Sequence, residues 1–172
     1  MKKAQSGPEC REILEILKSM ADPERTAGMG RYGINTERAL GVSMPWLRQT
    51  AKKFGKNHSL ALELWASGIH EARILACLVE DPALVSEEQA DAWVKDFNSW
   101  DLCDQCCINL FRKTAFAYAK CLEWSLREEG VVKRAGFTLM VTLAVHDKKV
   151  SDETFEQFLS VIVREAEDSE IM

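Results

Sequence analysis

Residues 58–80 read HSLALELWASGIHEARILACLVE and decide the architecture of the chain. Two helical segments rich in apolar residues, 58–67 and 69–80, are separated only by Gly68. Helices joined by so short a turn fold back on each other as an antiparallel pair. The stretch therefore predicts a helical hairpin.

Helical segments separated by short turns extend from this hairpin in both directions. An apolar stripe predicts a first helix that ends at Ala21-Asp22-Pro23, and Ser43 is placed to cap the next helix. The stripe consists of Ile13, Leu14, Ile16, Leu17 and Met20. Further helices are predicted at 86–97, 99–109, 111–128, 131–146 and 151–166. The segment in which Gly28, Gly30 and Gly33 surround Tyr32 is assigned to a loop or short turn.

The fold class that follows is all-α, because no stretch shows the alternation of a strand. Stacked antiparallel pairs form an α-α superhelix, a solenoid of HEAT-like repeats. The repeats are not strongly self-similar in sequence, so periodicity alone leaves a compact helical bundle open. The chain has 172 residues and no linker, which predicts a single HEAT-like repeat domain over residues 1–172.

Composition places the chain among globular proteins, with 47% hydrophobic and 28% charged residues. No apolar run is long enough to span a membrane, and residues 1–8 lack the apolar stretch of a signal peptide. We therefore expect a cytoplasmic protein with no membrane contact. Cys103 and Cys107 share a helix face and are interpreted as small core residues, because a structural zinc site needs four ligands at recognisable spacing.

The net charge of −5 argues mildly against a nucleic-acid partner, but the charge is unevenly distributed. Residues 150–172 contain seven acidic residues and one arginine, so the rest of the chain is close to neutral. No acidic residue lies between 44 and 56, where Arg48, Lys52 and Lys56 recur every four residues and form a basic ridge. A solvated helix face is the other explanation of this ridge.

The segment WDLCD at 100–104 carries the strongest chemical pattern. Trp100 and Asp104 lie at i and i+4 near the start of a predicted helix and share one face, whereas Asp101 points elsewhere. An aromatic face attracts cations, and a carboxylate stabilises positive charge and can position water. The alternative is a helix-start carboxylate, favoured by the helix dipole, beside a core tryptophan.

The chain resembles the AlkD-like DNA alkylation repair proteins, which are HEAT-like-repeat alkylpurine DNA glycosylases. The resemblance covers residues 10–165 in order and spacing. The matching segments are RYGI (31–34), LGVSMPWLR (40–48), LWASGIHEAR (64–73), WDLCD (100–104) and KRAGF (133–137).

The resemblance implies an active site made of Trp100, Asp104 and Arg134. Asp104 would stabilise the developing oxocarbenium ion, Trp100 would contact the sugar and backbone of the lesion, and Arg134 would hold a phosphate. The implied activity is monofunctional hydrolysis of the N-glycosidic bond of 3-methyladenine and 7-methylguanine in duplex DNA, with the base left stacked. The implied protein acts as a monomer on alkylated duplex DNA and needs no metal and no organic cofactor.

The basic residues predicted to contact DNA are Arg48, Lys52, Lys56, Arg112, Lys113 and Lys133, together with Arg134 on one concave surface. The family also uses a second tryptophan in a further C-terminal helix, and the sequence ends before that helix, so we expect one or more of the family's C-terminal helices to be missing. The competing interpretation is a non-catalytic HEAT-like solenoid that binds DNA or a protein partner.

Overall fold

The computed structural model describes residues 7–148 and 150–166, and every regular element in this part of the chain is helical. The helices are α1 (Pro8–Ser19), α2 (Pro23–Gly30), α3 (Met44–Phe54), α4 (His58–Ala66), α5 (His70–Val79), α6 (Glu87–Lys95), α7 (Trp100–Asn109), a 3₁₀ turn (Phe111–Lys113), α8 (Ala117–Ser125), α9 (Gly130–His146) and α10 (Asp152–Glu165). None of these helices is both long and apolar enough to cross a membrane.

The chain divides into two compact units. The first unit comprises Met1–Leu84 with Ser99–Leu102, and the second unit comprises Val85–Asn98 with Cys103–Met172. The predicted single domain over 1–172 includes residues 1–6, 149 and 167–172, which lie outside the described residues. The last of these ranges is the end of the acidic segment 150–172. The single domain therefore stays a prediction.

The first unit is organised around the predicted hairpin of α4 and α5. Its turn is closed by Gly68, whose φ of +70° is one that residues with a Cβ rarely adopt. A Cβ at Gly68 would also collide with the guanidinium of Arg38. Leu64 and Leu75 from this hairpin and Leu47 from α3 are completely buried, so the apolar faces of these helices form the core of the unit.

The second unit is built on the pair α8 and α9. At Gly136 the two helices pack so closely that a Cβ would collide with the backbone of Ser125. Trp124 and Phe111 are buried with their rings edge to face at 5.4 Å between centroids. The 3₁₀ turn and α8 are thereby fixed to one core.

Two predicted elements were partly wrong. The segment around Gly28 forms helix α2 rather than a loop, because Pro23 occupies its first turn and the Asp22 carboxylate accepts a hydrogen bond from Arg25 N at 2.9 Å. Tyr32 and Gly33 lie in the turn that follows this helix, as predicted. The predicted helix 111–128 is interrupted at Thr114, whose backbone is extended and whose hydroxyl donates to Phe111 O at 2.8 Å. Such side-chain bonds compete with helical ones.

Candidate active site

Asp104 on α7 and Arg134 on α9 approach each other within the second unit. The Arg134 Nη2 atom lies 3.5 Å from Asp104 Oδ1, which is the long limit of a hydrogen bond. The two side chains are 33% and 29% exposed. Arg134 Nε is buried and donates to no protein partner among the described residues. The guanidinium is therefore held loosely beside the carboxylate and keeps donors for an anionic ligand.

The face of α7 behind Asp104 is packed with small thiols. Cys103 and Cys107 are buried, and Cys107 Sγ lies 3.7 Å from Ala135 O on α9. Burial raises the pKa of Cys107 well above its usual value, and the neighbouring Cys103 raises it further. A thiol in this state is a poor nucleophile, and the prediction that both cysteines are small core residues is confirmed.

Trp100 begins α7 and belongs to the first unit. Its indole Nε1 donates a hydrogen bond to Tyr32 O at 2.9 Å, and 40% of the residue is exposed. The interpretation of Trp100 as a core tryptophan is therefore wrong. Tyr32 itself is 76% exposed, so the first unit presents two neighbouring aromatic residues to solvent. The sequence placed Tyr32 in a glycine-rich turn but offered no sign of this hydrogen bond.

Asp101 points away from solvent and bonds to the first residue of α5. Its Oδ2 atom lies 2.8 Å from Nε2 of His70, which is buried. Burial alone would raise the pKa of Asp101, but the hydrogen bond from His70 and its electrostatic attraction for the carboxylate lower it below its usual value. Asp101 therefore has a structural partner, so its substitution is not a neutral control for Asp104.

The predicted DNA-binding residues of the first unit differ in whether their charged groups are bonded to other residues. Arg48 and Lys52 on α3 are exposed and form no ion pair with any residue that the structure describes. Lys56 Nζ donates to Leu78 O at 3.1 Å and to Glu80 O at 2.7 Å. Lys56 thus binds the carbonyl groups at the end of α5, where a cation is favoured, and this bonding occupies two of its three donors.

The predicted DNA-binding residues of the second unit are also partly engaged. Lys133 pairs with Glu165 at 3.1 Å, and Arg112 Nε donates to Ile108 O at 2.6 Å, whereas Lys113 is exposed. Arg112 also lines a groove of about 340 Å³ with His146 and Lys148. That these residues and those of α3 form one concave surface stays a prediction.

The tryptophans other than Trp100 lie mostly in the core. Trp65, Trp93 and Trp124 are buried, whereas Trp46 is only partly buried. Within residues 7–148 and 150–166 no group of three or more histidine, cysteine or acidic side chains is arranged to hold a metal ion.

Comparisons with known proteins agree with this fold. A solved structure superposes with a TM-score of 0.80 at 22% sequence identity, covering 94% of this chain and 70% of that one. It is described as belonging to "a new family of proteins related to the HEAT-like repeat DNA glycosylases with affinity for branched DNA structures". The predicted all-α HEAT-like repeat fold is thereby confirmed. No curated protein matches the chain.

The family comparison covers nearly the whole sequence. The model of the family described as "DNA alkylation repair enzyme" matches residues 13–172. This range includes Trp100, Asp104 and Arg134. The chain belongs to the DNA alkylation repair enzyme family.

Proposed function

We propose that this protein is a DNA glycosylase that hydrolyses the N-glycosidic bond of cationic alkylated purines in duplex DNA. The observation that carries the proposal is the partly exposed Asp104 carboxylate with the loosely held Arg134 guanidinium 3.5 Å away. A carboxylate in this setting can approach developing positive charge, while the guanidinium can bind the neighbouring phosphate.

The chemistry requires little of the protein because the lesion is already activated. Alkylation at N3 or N7 gives the purine a positive charge, so the electron pair of the breaking C1′–N bond neutralises the departing base. The sugar is left with oxocarbenium character at C1′, which water then attacks. Asp104 stabilises this charge and orients the water, whose proton passes to the carboxylate or to solvent.

Trp100 supports the same reaction from the first turn of α7. An exposed indole offers apolar contact to the deoxyribose, and its π face favours the cationic charge. Its hydrogen bond to Tyr32 O fixes the plane of the ring. Arg48, Lys52, Arg112, Lys113 and Lys133 would add phosphate contacts that position the duplex without reading its sequence.

Release of 7-methylguanine and 3-methyladenine from methylated duplex DNA tests the proposal. Wild-type protein should release both bases and leave intact abasic strands, since no amine is required for the reaction. Asp104→Asn should release them far more slowly. The matched control is Asp152→Asn, which removes an exposed first-turn carboxylate from α10. A wild-type protein that releases neither base contradicts the proposal.

A second candidate function is binding of branched DNA without catalysis. It is favoured by the solved relative, which is described as having affinity for branched DNA structures. The two functions are distinguished by comparing a four-way junction with an unmodified duplex of equal length. Much tighter binding of the junction than of the duplex would support the second candidate, provided that neither 7-methylguanine nor 3-methyladenine is released from methylated duplex DNA.

A further inference from the structure

His70 links the start of α5 to the start of α7 inside the first unit. The residue is only 4% exposed, and its Nε2 atom lies 2.8 Å from Asp101 Oδ2. Asp101 directly precedes Leu102 and directly follows Trp100, whose indole is the exposed aromatic group of this helix start. Any change in the His70–Asp101 pair therefore acts on the peptide unit that carries Trp100.

The direction of this hydrogen bond follows from the charge of its acceptor. The pKa of Asp101 is lowered, so the carboxylate is ionised at neutral pH and can only accept. Nε2 of His70 must therefore carry a proton and donate it. The other ring nitrogen, Nδ1, is buried and has no protein partner among the described residues. The imidazole is thus held by one bond, and that bond leads to α7.

The first turn of α5 also organises the loop that contacts Trp100. The backbone N of His70 donates to Arg38 O at 3.0 Å. The neighbouring carboxylate of Glu71 accepts from Leu40 N at 2.9 Å and from Gly41 N at 2.7 Å. This loop begins near Tyr32, whose carbonyl accepts the Trp100 indole N–H. The indole is therefore restrained from its own helix and from the loop, and both restraints lead back to residues 70 and 71.

We propose that His70 is a positioning residue for Trp100, acting through Asp101 to set the orientation of the indole. That the oriented indole contacts the deoxyribose of a lesion rests on the proposed glycosylase function. His70 itself touches no substrate group. A displacement of a contacting group by about 1 Å can reduce a rate about 100-fold, so loss of the bond should slow base release while leaving phosphate-dominated DNA affinity nearly unchanged.

The test uses a Trp100 signal that does not depend on DNA. The protein is labelled with 5-fluorotryptophan, and the ¹⁹F resonance of Trp100 is assigned by its loss in Trp100→Phe. His70→Leu fills the buried space but cannot donate to Asp101, so the Trp100 resonance should shift or broaden. His70→Gln keeps an N–H donor on a side chain of similar reach and should restore the wild-type resonance. Trp65, which is buried in the first unit, reports whether the unit that contains His70 stays folded, and Trp93 and Trp124 report the same for the second unit.

A matched control exists within the same unit. His58 at the start of α4 pairs with the buried Glu80 through Nδ1 and Oε1, also at 2.8 Å. His58→Leu breaks an equivalent pair that is not adjacent to Trp100. It should leave the Trp100 resonance and the rate of base release unchanged. An equal effect of His58→Leu would mean that His70 acts only through general stability and would overturn the proposal.

Single-turnover base release provides the second readout. His70→Leu should lower the rate about 100-fold with DNA affinity within about twofold, and His70→Gln should recover most of the rate. If wild-type protein releases no base, the glycosylase proposal fails, yet the ¹⁹F comparison still decides the positioning role. If His70→Leu does not fold, Asp101→Ala replaces it and should displace the same resonance. An unchanged Trp100 resonance in a folded variant, or no recovery by His70→Gln, contradicts the positioning role.

Discussion

Asp101 and Asp104 lie three residues apart on α7 and have opposite surroundings. Asp101 bonds to the buried imidazole of His70, whereas Asp104 is partly exposed beside the Arg134 guanidinium. Two carboxylates of the same type are thus given different tasks by what packs against them. Asp101 holds the start of a helix, whereas Asp104 has the partial exposure that the proposed reaction requires.

Asp104→Asn should abolish most base release while leaving the fold intact. Loss of one preorganised electrostatic group typically reduces a rate about 100- to 1,000-fold. The unfolding free energy should change by less than about 1 kcal/mol, because partly exposed ion pairs contribute little. Single-turnover release and urea denaturation measure the two effects, with Asp152→Asn as control. Equal rates for the two variants would remove Asp104 from the site.

Asp101→Asn should show the reverse pattern and destabilise the protein by about 1 kcal/mol at pH 7, because the amide oxygen can still accept from His70 Nε2 but lacks the charge of the carboxylate. The pKa of Asp101 is lower in the folded protein than in the unfolded chain. Its ionisation therefore stabilises the fold above the unfolded pKa, and this contribution is lost as the pH falls through the folded value.

The measurement is the urea midpoint of wild-type protein and Asp101→Asn at neutral pH and below pH 3.8. The difference between the two proteins should shrink at the acidic pH. A difference that is independent of pH would show that the carboxylate charge plays no part in holding α7.

Lys120→Met should destabilise the second unit. The buried Lys120 amine bonds to Asp91 at 2.9 Å and to Glu123 at 2.8 Å, while Trp124 Nε1 donates to the other oxygen of Asp91 at 2.7 Å. Burial opposes the charge of Lys120, but these carboxylates raise its pKa above the usual value. Removing the amine leaves clustered carboxylates, so we expect a loss of about 1–3 kcal/mol in urea denaturation. The exposed Lys95→Met should lose far less.

DNA affinity should depend strongly on salt if phosphate contacts dominate. Four to six contacts predict that log K falls with log salt with a slope of about −4 to −5. Lys52→Ala should reduce the magnitude of this slope by about 1, because Lys52 is exposed and unpaired among the described residues. Lys18→Ala, an exposed lysine at the end of α1, is the control. Binding that barely responds to salt would favour a protein partner over DNA.

The all-α class and the hairpin around Gly68 could be predicted because helix periodicity and turn residues are local properties of the sequence. The missed helix α2 was also local, since Asp22 and Pro23 carried its start signal, but its glycines obscured it. The expectation that Trp100 and Asp104 share a helix face came from spacing alone, and it stays a prediction. Family membership followed from the order of short segments along the chain.

What only the tertiary structure decided is which polar groups meet across long separations in sequence. His70 and Asp101 are 31 residues apart in the sequence, and Lys120 and Asp91 are 29 residues apart. No periodicity predicts such pairs. Burial also depends on what packs against a residue rather than on its type, so Trp100 is exposed and Trp124 is buried. Local spacing in the sequence determined the helices. The ionisation and the accessibility of each carboxylate were determined by the partners that folding placed beside it.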